Sequence, residues 1–130
     1  MKNLKSLLLL TALVSMVGCV NTVTRNDQGI MPAYQDWQEG RYPQPIEPVF
    51  EAAKRAINSF GNTTREGTDV SGANPVRLVE GWINQRAIYV RLEQVQPQET
   101  VARVQVRTRW GGTDLSTARE VVERIAVELQ

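Results

Sequence analysis

Residues 87–110 read AIYVRLEQVQPQETVARVQVRTRW, and the hydrophobic pattern of this stretch decides the fold. Apolar side chains occupy alternate positions in both halves, namely Ile88, Val90, Leu92, Ala102, Val104, Val106 and Trp110. The intervening positions are mostly polar, namely Tyr89, Arg91, Glu93, Arg103, Gln105, Arg107 and Arg109. Because side chains alternate between the two faces of a strand, the pattern predicts strands at Ala87–Val95 and Thr100–Trp110, connected through Pro97-Gln98-Glu99.

Further strands are expected upstream of this pair. Val76–Ile83 is predicted to form a hairpin with Ala87–Val95 across Asn84-Gln85-Arg86. Thr63–Val70 is a weaker candidate because Gly67 interrupts it, and Ser71–Pro75 has the composition of a turn. The sequence therefore predicts an antiparallel sheet of three to four strands.

A helix is predicted before the strands, over Ile46–Phe60. Its apolar positions have helical spacing and form one stripe, made of Val49, Phe50, Ala53, Ala56, Ile57 and Phe60. Gly61-Asn62 follows as a stop signal, with Gly61 expected to form a left-handed C-terminal cap.

A second helix is predicted after the strands. Gly111-Gly112 permits a sharp turn out of the last strand, and either Thr113 or Asp114 can cap the new helix. Thr117 and Glu120 also have the spacing of a capping box. The apolar face of this helix comprises Leu115, Ala118, Val121, Val122, Ile125 and Leu129.

These elements predict an α+β fold in the order α-β-β-β-α, within a single domain over residues 44–130. Both helices are expected on the apolar face of the sheet, which gives a two-layer sandwich. The other face of the sheet is then available to water or to a partner.

The first residues have the features of a bacterial lipoprotein leader. Lys2 and Lys5 precede an apolar run, Leu7–Val17, and the string LVSMVGC at residues 13–19 resembles a lipobox. This resemblance implies that residues 1–18 are a signal peptide, that cleavage falls between Gly18 and Cys19, and that Cys19 carries the lipid. A spanning helix needs about 20 apolar residues, which disfavours a transmembrane anchor. An ordinary signal peptide that leaves Cys19 unmodified is the other alternative.

Residues 19–43 are interpreted as a lipidated flexible tether, because their first part is polar and has no sustained period. Tyr34, Trp37 and Tyr42 lie in its second part. They predict that some of Tyr34–Tyr42 adds an edge strand or packs on the domain, or else that these aromatic rings contact lipid headgroups or a partner. Asn21 stands where an aspartate would resemble an inner-membrane retention signal, so the expected location is the periplasmic face of the outer membrane.

Several stretches together resemble small bacterial envelope lipoproteins of a domain-of-unknown-function family. The matching stretches cover most of residues 46–129 and are Val49–Ile57, Gly81-Trp82-Ile83, Thr100–Arg107 and Gly112–Ser116. Trp110-Gly111-Gly112 departs from the simpler glycine–aspartate turn of that pattern. The resemblance implies a helix, an antiparallel meander and a C-terminal helix at the cell envelope, and it supplies no catalytic residues.

Composition disfavours several function classes. The chain has no histidine, which excludes a Ser-His-Asp triad and a histidine metal site. Cys19 is the single cysteine, so an acylated Cys19 leaves no thiol for a disulfide or a zinc site. Removal of the leader takes away Lys2 and Lys5, leaving 13 basic against 14 acidic residues and a formal net charge of −1. We therefore expect no metal, no cofactor and no nucleic acid.

Two weak candidates for chemistry remain. A carboxylate-based hydrolase of wall material needs two flanking carboxylates, and the available residues are Glu66, Asp69, Asp36 and Glu39. Gly111–Asp114 before a helix could bind a phosphate through backbone N–H groups. The simpler interpretations are solvated turn carboxylates and an ordinary helix cap.

The feature favoured for function is the polar face of the sheet. Arg91, Arg103, Arg107 and Arg109 are expected to project from it, and guanidinium groups bind carboxylates and phosphates bidentately. The alternative is a solvated face on which Glu93 and Glu80 pair with these arginines. The sequence therefore predicts a membrane-anchored, non-catalytic binding or assembly module whose partner is an envelope protein, a lipid headgroup or peptidoglycan. The alternative functions are a purely structural lipoprotein and a small hydrolase.

Overall fold

The computed structural model of the chain describes residues 36–130, which form five strands and two helices. In chain order these are β1 (Gln38–Tyr42), α1 (Ile46–Phe60), β2 (Asn62–Asp69), β3 (Val76–Ile83), β4 (Arg86–Gln96), β5 (Glu99–Arg107) and α2 (Leu115–Glu128). The strands make one antiparallel sheet in the order β1-β5-β4-β3-β2. The leader, Cys19, Asn21 and Tyr34 lie outside the described residues.

The α+β class is confirmed, but the expected three to four strands and the order α-β-β-β-α are wrong. The sheet has five strands, and the element order is β-α-β-β-β-β-α. β1 lies within residues 19–43, where the sequence predicts a tether with an edge strand as one outcome for its last part. It forms by pairing with β5, with Gln38 opposite Val104 and Tyr42 opposite Thr100. The strand reads QEGRY, with Tyr42 as its single apolar side chain, so it shows no apolar alternation by which the sequence could identify it.

Hydrogen bonds to distant elements hold β1 in place. The buried Tyr42 hydroxyl donates to the Val122 carbonyl of α2 at 2.7 Å, and burial raises the pKa of Tyr42. Thr100 Oγ1 donates to the Gln44 carbonyl at 2.8 Å, just after β1. The strand is therefore attached to both layers of the domain.

The core lies between the sheet and the two helices. Phe50 and Ile57 of α1, Val90 and Val104 of the sheet, and Ile125 of α2 are all buried in one cluster. A Cβ built on Gly81 would meet Ile57 Cγ2, which places this side of β3 directly under α1. Both helices therefore cover the same face, which is the one that carries the alternating apolar residues.

Gly61 ends α1 for a different reason from the one predicted. Its φ of −168° is extended, so the expected left-handed cap is wrong. A Cβ at this position would overlap the Trp82 carbonyl oxygen of β3. Glycine is required here because two backbone segments approach closely, and this cannot be inferred from the local sequence.

β5 ends earlier than predicted. It stops at Arg107, and the chain turns through a bond from the Thr108 N–H to the Gly112 carbonyl at 2.8 Å, with Gly111 at φ +89°. Trp110 therefore lies beyond the strand and is 90% exposed, which contradicts its predicted place on the apolar face. The glycine pair, rather than the alternation, determines where the strand ends.

Asp114 caps α2. Its carboxylate accepts hydrogen bonds from the Thr117 N–H at 3.0 Å and from Thr117 Oγ1 at 2.7 Å. Arg86 Nη1 lies 3.1 Å from Asp114 Oδ2. The bonds from Thr117, with a smaller contribution from Arg86, lower the pKa of Asp114. Thr117 lies inside α2, so the predicted capping box with Glu120 does not form the helix start.

Replacing Asp114 by alanine is expected to lower the free energy of unfolding by about 1 kcal/mol at pH 7, because a donor at the helix start loses its acceptor. Asp114→Asn keeps an acceptor and should cost less. The pKa of Asp114 is lower in the folded state than in the unfolded state. Its charge therefore stabilises the folded state above the unfolded-state pKa, and this stabilisation is lost as pH falls through the folded-state pKa. Urea unfolding at pH 7 and pH 3 should therefore show the advantage of wild type over Asp114→Asn narrowing at pH 3. A constant difference would contradict this role.

Candidate binding surface

The sheet face opposite the helices is called the open face. Strand register assigns to it alternate residues of four strands. These are Glu39 and Arg41 of β1, and Val101, Arg103, Gln105 and Arg107 of β5. The others are Ala87, Tyr89, Arg91 and Glu93 of β4, and Val76, Leu78, Glu80 and Trp82 of β3. Both helices lie on the other side of the sheet. Exposure varies across the open face: Gln105 is fully buried, whereas Trp82 is 51% exposed and the Arg41 side chain is 63% exposed.

The structure places three of the four predicted arginines on this face. Arg91 and Arg103 stand directly opposite each other on β4 and β5, and Arg107 lies farther along β5. Arg109 follows the end of β5 and belongs to the turn before α2. Like charges that face each other across two strands are destabilising unless acidic groups offset them.

Carboxylates offset the charges of the facing pair. Arg91 Nη1 lies 2.8 Å from Glu93 Oε2, and Arg103 Nε lies 3.7 Å from Glu39 Oε2. Hydrogen bonds from Arg91, and next from Asn74, lower the pKa of Glu93. This part of the open face therefore holds paired charges, with one pair along β4 and the other between β5 and β1. Glu93 was predicted as a partner, whereas the pairing of Glu39 depends on β1, which the sequence pattern does not define.

A slot lies at the other end of the open face. Trp82, Ala87 and Arg107 occupy one row across β3, β4 and β5. Because adjacent strands are about 4.8 Å apart, the small Ala87 leaves a gap between the indole and the guanidinium. The resulting slot has a volume of about 260 Å³ and is also lined by Tyr89 and Arg109.

Trp110 projects beside this slot. The guanidinium carbon of Arg109 lies 5.7 Å from the centre of the Trp110 ring. The Gly111 turn that holds Trp110 outside the sheet also lines the slot. Sequence reasoning missed this exposed tryptophan because it extended the alternation of β5 to Trp110.

At Gly111–Asp114, where phosphate binding is the alternative, a side chain already occupies the backbone donor that a phosphate would use. The Asp114 carboxylate itself accepts the hydrogen bond of the Thr117 N–H at the start of α2. That N–H is the kind of donor that a phosphate would need. The geometry favours the helix-cap interpretation.

The four carboxylates considered for hydrolysis are not brought together. Glu66 and Asp69 lie on β2 at one edge of the sheet, whereas Asp36 precedes β1 and Glu39 lies on β1 at the opposite edge. Glu66 pairs with Lys54 at 3.4 Å. Hydrogen bonds from Ser71 lower the pKa of Asp69, whereas a general acid needs a raised pKa. Within residues 36–130, no group of three or more acidic side chains is arranged to hold a metal ion.

No family model matches the chain, and comparison with curated proteins finds no relative. The resemblance to small envelope lipoproteins therefore stays a prediction. In the described part of the chain, neither helix is long and apolar enough to cross a membrane.

Proposed function

We propose that the protein is a lipid-anchored bacterial envelope protein whose domain is a non-catalytic binding or assembly module. Cys19 carries the lipid, residues 20–35 provide reach, and the open face contacts an envelope partner. The lipobox-like string before Cys19 supports the anchor. Two acyl chains give stable anchoring, because each buried CH₂ contributes about 0.8 kcal/mol. Asn21 favours the periplasmic face of the outer membrane.

The observation that carries the binding role is the placement of both helices on one side of the sheet. It leaves the open face with an ordered array of charged and aromatic side chains. Arg91 pairs with Glu93 and Arg103 pairs with Glu39. Trp37 lies beside Arg103, with its ring centre 5.5 Å from the guanidinium carbon. A rigid surface of arginine and aromatic groups is typical of protein contact sites, because little side-chain freedom is lost on binding.

Site-specific photocross-linking in living cells tests this proposal. A photoreactive phenylalanine is placed at Arg41 or at Arg65, which lie on opposite edge strands and are both largely exposed. Arg65 of β2 stands opposite Glu80 of β3 and therefore also lies on the open face. Their ion pairs are at the surface, so replacement should change stability by less than about 1 kcal/mol. The matched control is Val127, an exposed position on α2. We expect a discrete protein or peptidoglycan adduct from Arg41 and Arg65 and none from Val127.

Equal adducts from all three positions would show that contact is non-specific and would overturn the proposal. The absence of adducts from both open-face positions would also overturn it. Urea unfolding of each variant provides the folding control.

A further inference from the structure

Two exposed tryptophans lie at the same end of the sheet. Trp82 is 51% exposed and Trp110 is 90% exposed, whereas most other large apolar side chains of the domain are buried. Trp82, Arg109 and Gly111 line one slot, and Trp110 stands between the latter two in the chain. We call Trp82, Arg109 and Trp110 the tryptophan end.

The chain enters the domain at this same end. β1 is antiparallel to β5, so Gln38, its first residue, lies opposite Val104, towards the end of β5. Just before it, Asp36 Oδ2 accepts a hydrogen bond from Thr113 Oγ1 at 2.9 Å. Thr113 follows the turn that carries Arg109 and Trp110. The segment leading back to Cys19 therefore starts beside the tryptophan end.

From this placement we propose that the tryptophan end docks on the phosphate headgroups of the membrane that holds the lipid anchor. The inference rests on the proposed function, since it requires the anchor at Cys19. The 17 residues from Cys19 to Asp36 span at most about 60 Å, so the anchor keeps this end near the bilayer. The docking surface supplies a second contact and orients the domain.

The chemistry of the tryptophan end fits a lipid surface. Indole rings favour the interface between headgroups and acyl chains, and an exposed ring such as Trp110 is free to enter it. Arginine binds phosphate oxygens through a planar fork of N–H donors. Arg109 is exposed and has no ion pair within residues 36–130. No carboxylate is found among the described residues that line the slot.

The two acidic groups nearest to the tryptophan end differ in how their charge is offset. Asp114 pairs with Arg86, whereas Asp36 accepts a hydrogen bond from the neutral Thr113 hydroxyl and keeps its charge. At the other end of the open face, carboxylates accompany the arginines, as in the pair Arg91–Glu93. The charge pattern thus distinguishes the two ends and favours the tryptophan end for phosphate groups.

Fluorescence quenching by brominated lipids tests the docking. The lipid-modified full chain is reconstituted into vesicles of phosphatidylethanolamine and phosphatidylglycerol, with bromine near the headgroup end of the acyl chains. We expect these vesicles to quench tryptophan emission relative to unbrominated vesicles. Trp110→Phe should lose most of the quenching, whereas the matched Trp37→Phe variant should retain it. Trp110 is exposed, so its replacement leaves the core unchanged.

Arginine variants test the phosphate contact. Arg109→Gln should reduce the quenching, Arg109→Lys should retain part of it, and Arg65→Gln on the far edge strand should leave it unchanged. Shielding of Trp110 from aqueous quenchers by inorganic phosphate, without quenching by brominated lipid, would assign the slot to free phosphate and overturn the proposal. Shielding of Trp110 from aqueous quenchers by a poly-glutamate peptide, without quenching by brominated lipid, would overturn it in favour of an acidic protein partner.

Flotation of the same samples distinguishes a failure of the headgroup docking from a failure of the lipid anchor. Protein that floats with the vesicles but shows no quenching has an anchor and no docking, which overturns this inference alone. Protein that carries no lipid and does not float overturns the anchor in the proposed function.

Discussion

Replacing Cys19 by serine is expected to abolish incorporation of labelled palmitate and to leave residues 1–18 attached to the chain. A serine hydroxyl does not form the thioether that carries the diacylglycerol. In the lipobox interpretation, the peptidase cuts only after that lipid has been added. Because Cys19 is the single cysteine, no other thiol can substitute for it. The measurement is metabolic labelling in a bacterial host, with gel mobility and intact mass recorded for the wild type and the variant.

The matched control is Ser15→Ala, which alters the same segment and keeps the cysteine. It should be labelled and processed like the wild type. A wild-type chain that is cleaved but carries no palmitate would contradict lipidation and favour an ordinary signal peptide. A wild-type chain that keeps residues 1–18 without palmitate would favour a retained membrane anchor.

Gly61→Ala is expected to lower the free energy of unfolding by about 3 kcal/mol, at the upper end for steric overpacking. The new methyl group would overlap the carbonyl oxygen of Trp82 and would lie 3.1 Å from the Cα of Ile83. Both contacts are with backbone, so no side chain can rotate away. The end of α1 or the end of β3 must move instead. For a domain of this size, the melting temperature should fall by roughly 12–24 °C.

Gly72→Ala provides the control, because a Cβ at Gly72 meets no atom within 4 Å. Its melting temperature should stay close to that of the wild type in circular dichroism. Similar melting temperatures for Gly61→Ala and the wild type would show that α1 and β3 do not approach as closely as the structure has them.

Much of the fold could be predicted where the signal is local. The helix Ile46–Phe60 and the strand Val76–Ile83 have the predicted bounds. An apolar stripe with helical spacing, or a short apolar run bounded by turn residues, is encoded by neighbouring residues and needs no knowledge of the rest of the chain. The hairpin between β3 and β4 was also predicted, and Asn84 and Gln85 both have the positive φ of a tight turn.

The candidate surface was predicted only in part. The polar face of β4 and β5 and its arginines follow from alternation, so Arg91, Arg103 and Arg107 lie on one face as expected. Arg109 does not, because the strand ends before it. The sequence predicts the acidic partners of the arginines less well, because the pairing of Arg103 with Glu39 joins residues 64 positions apart in the chain.

The order of polar and apolar residues is sufficient to predict the α+β class and the bounds of the helix Ile46–Phe60 and the strand Val76–Ile83, because each of these depends on a short window. Only the tertiary structure decides that Gln38–Tyr42 becomes a strand, that Gly61 has no room for a side chain, and that Trp82 and Trp110 lie at the end of the sheet where the chain enters. Those outcomes depend on the register between distant segments. A single sequence carries no local signal for that register, and it is determined when the helices and strands pack together.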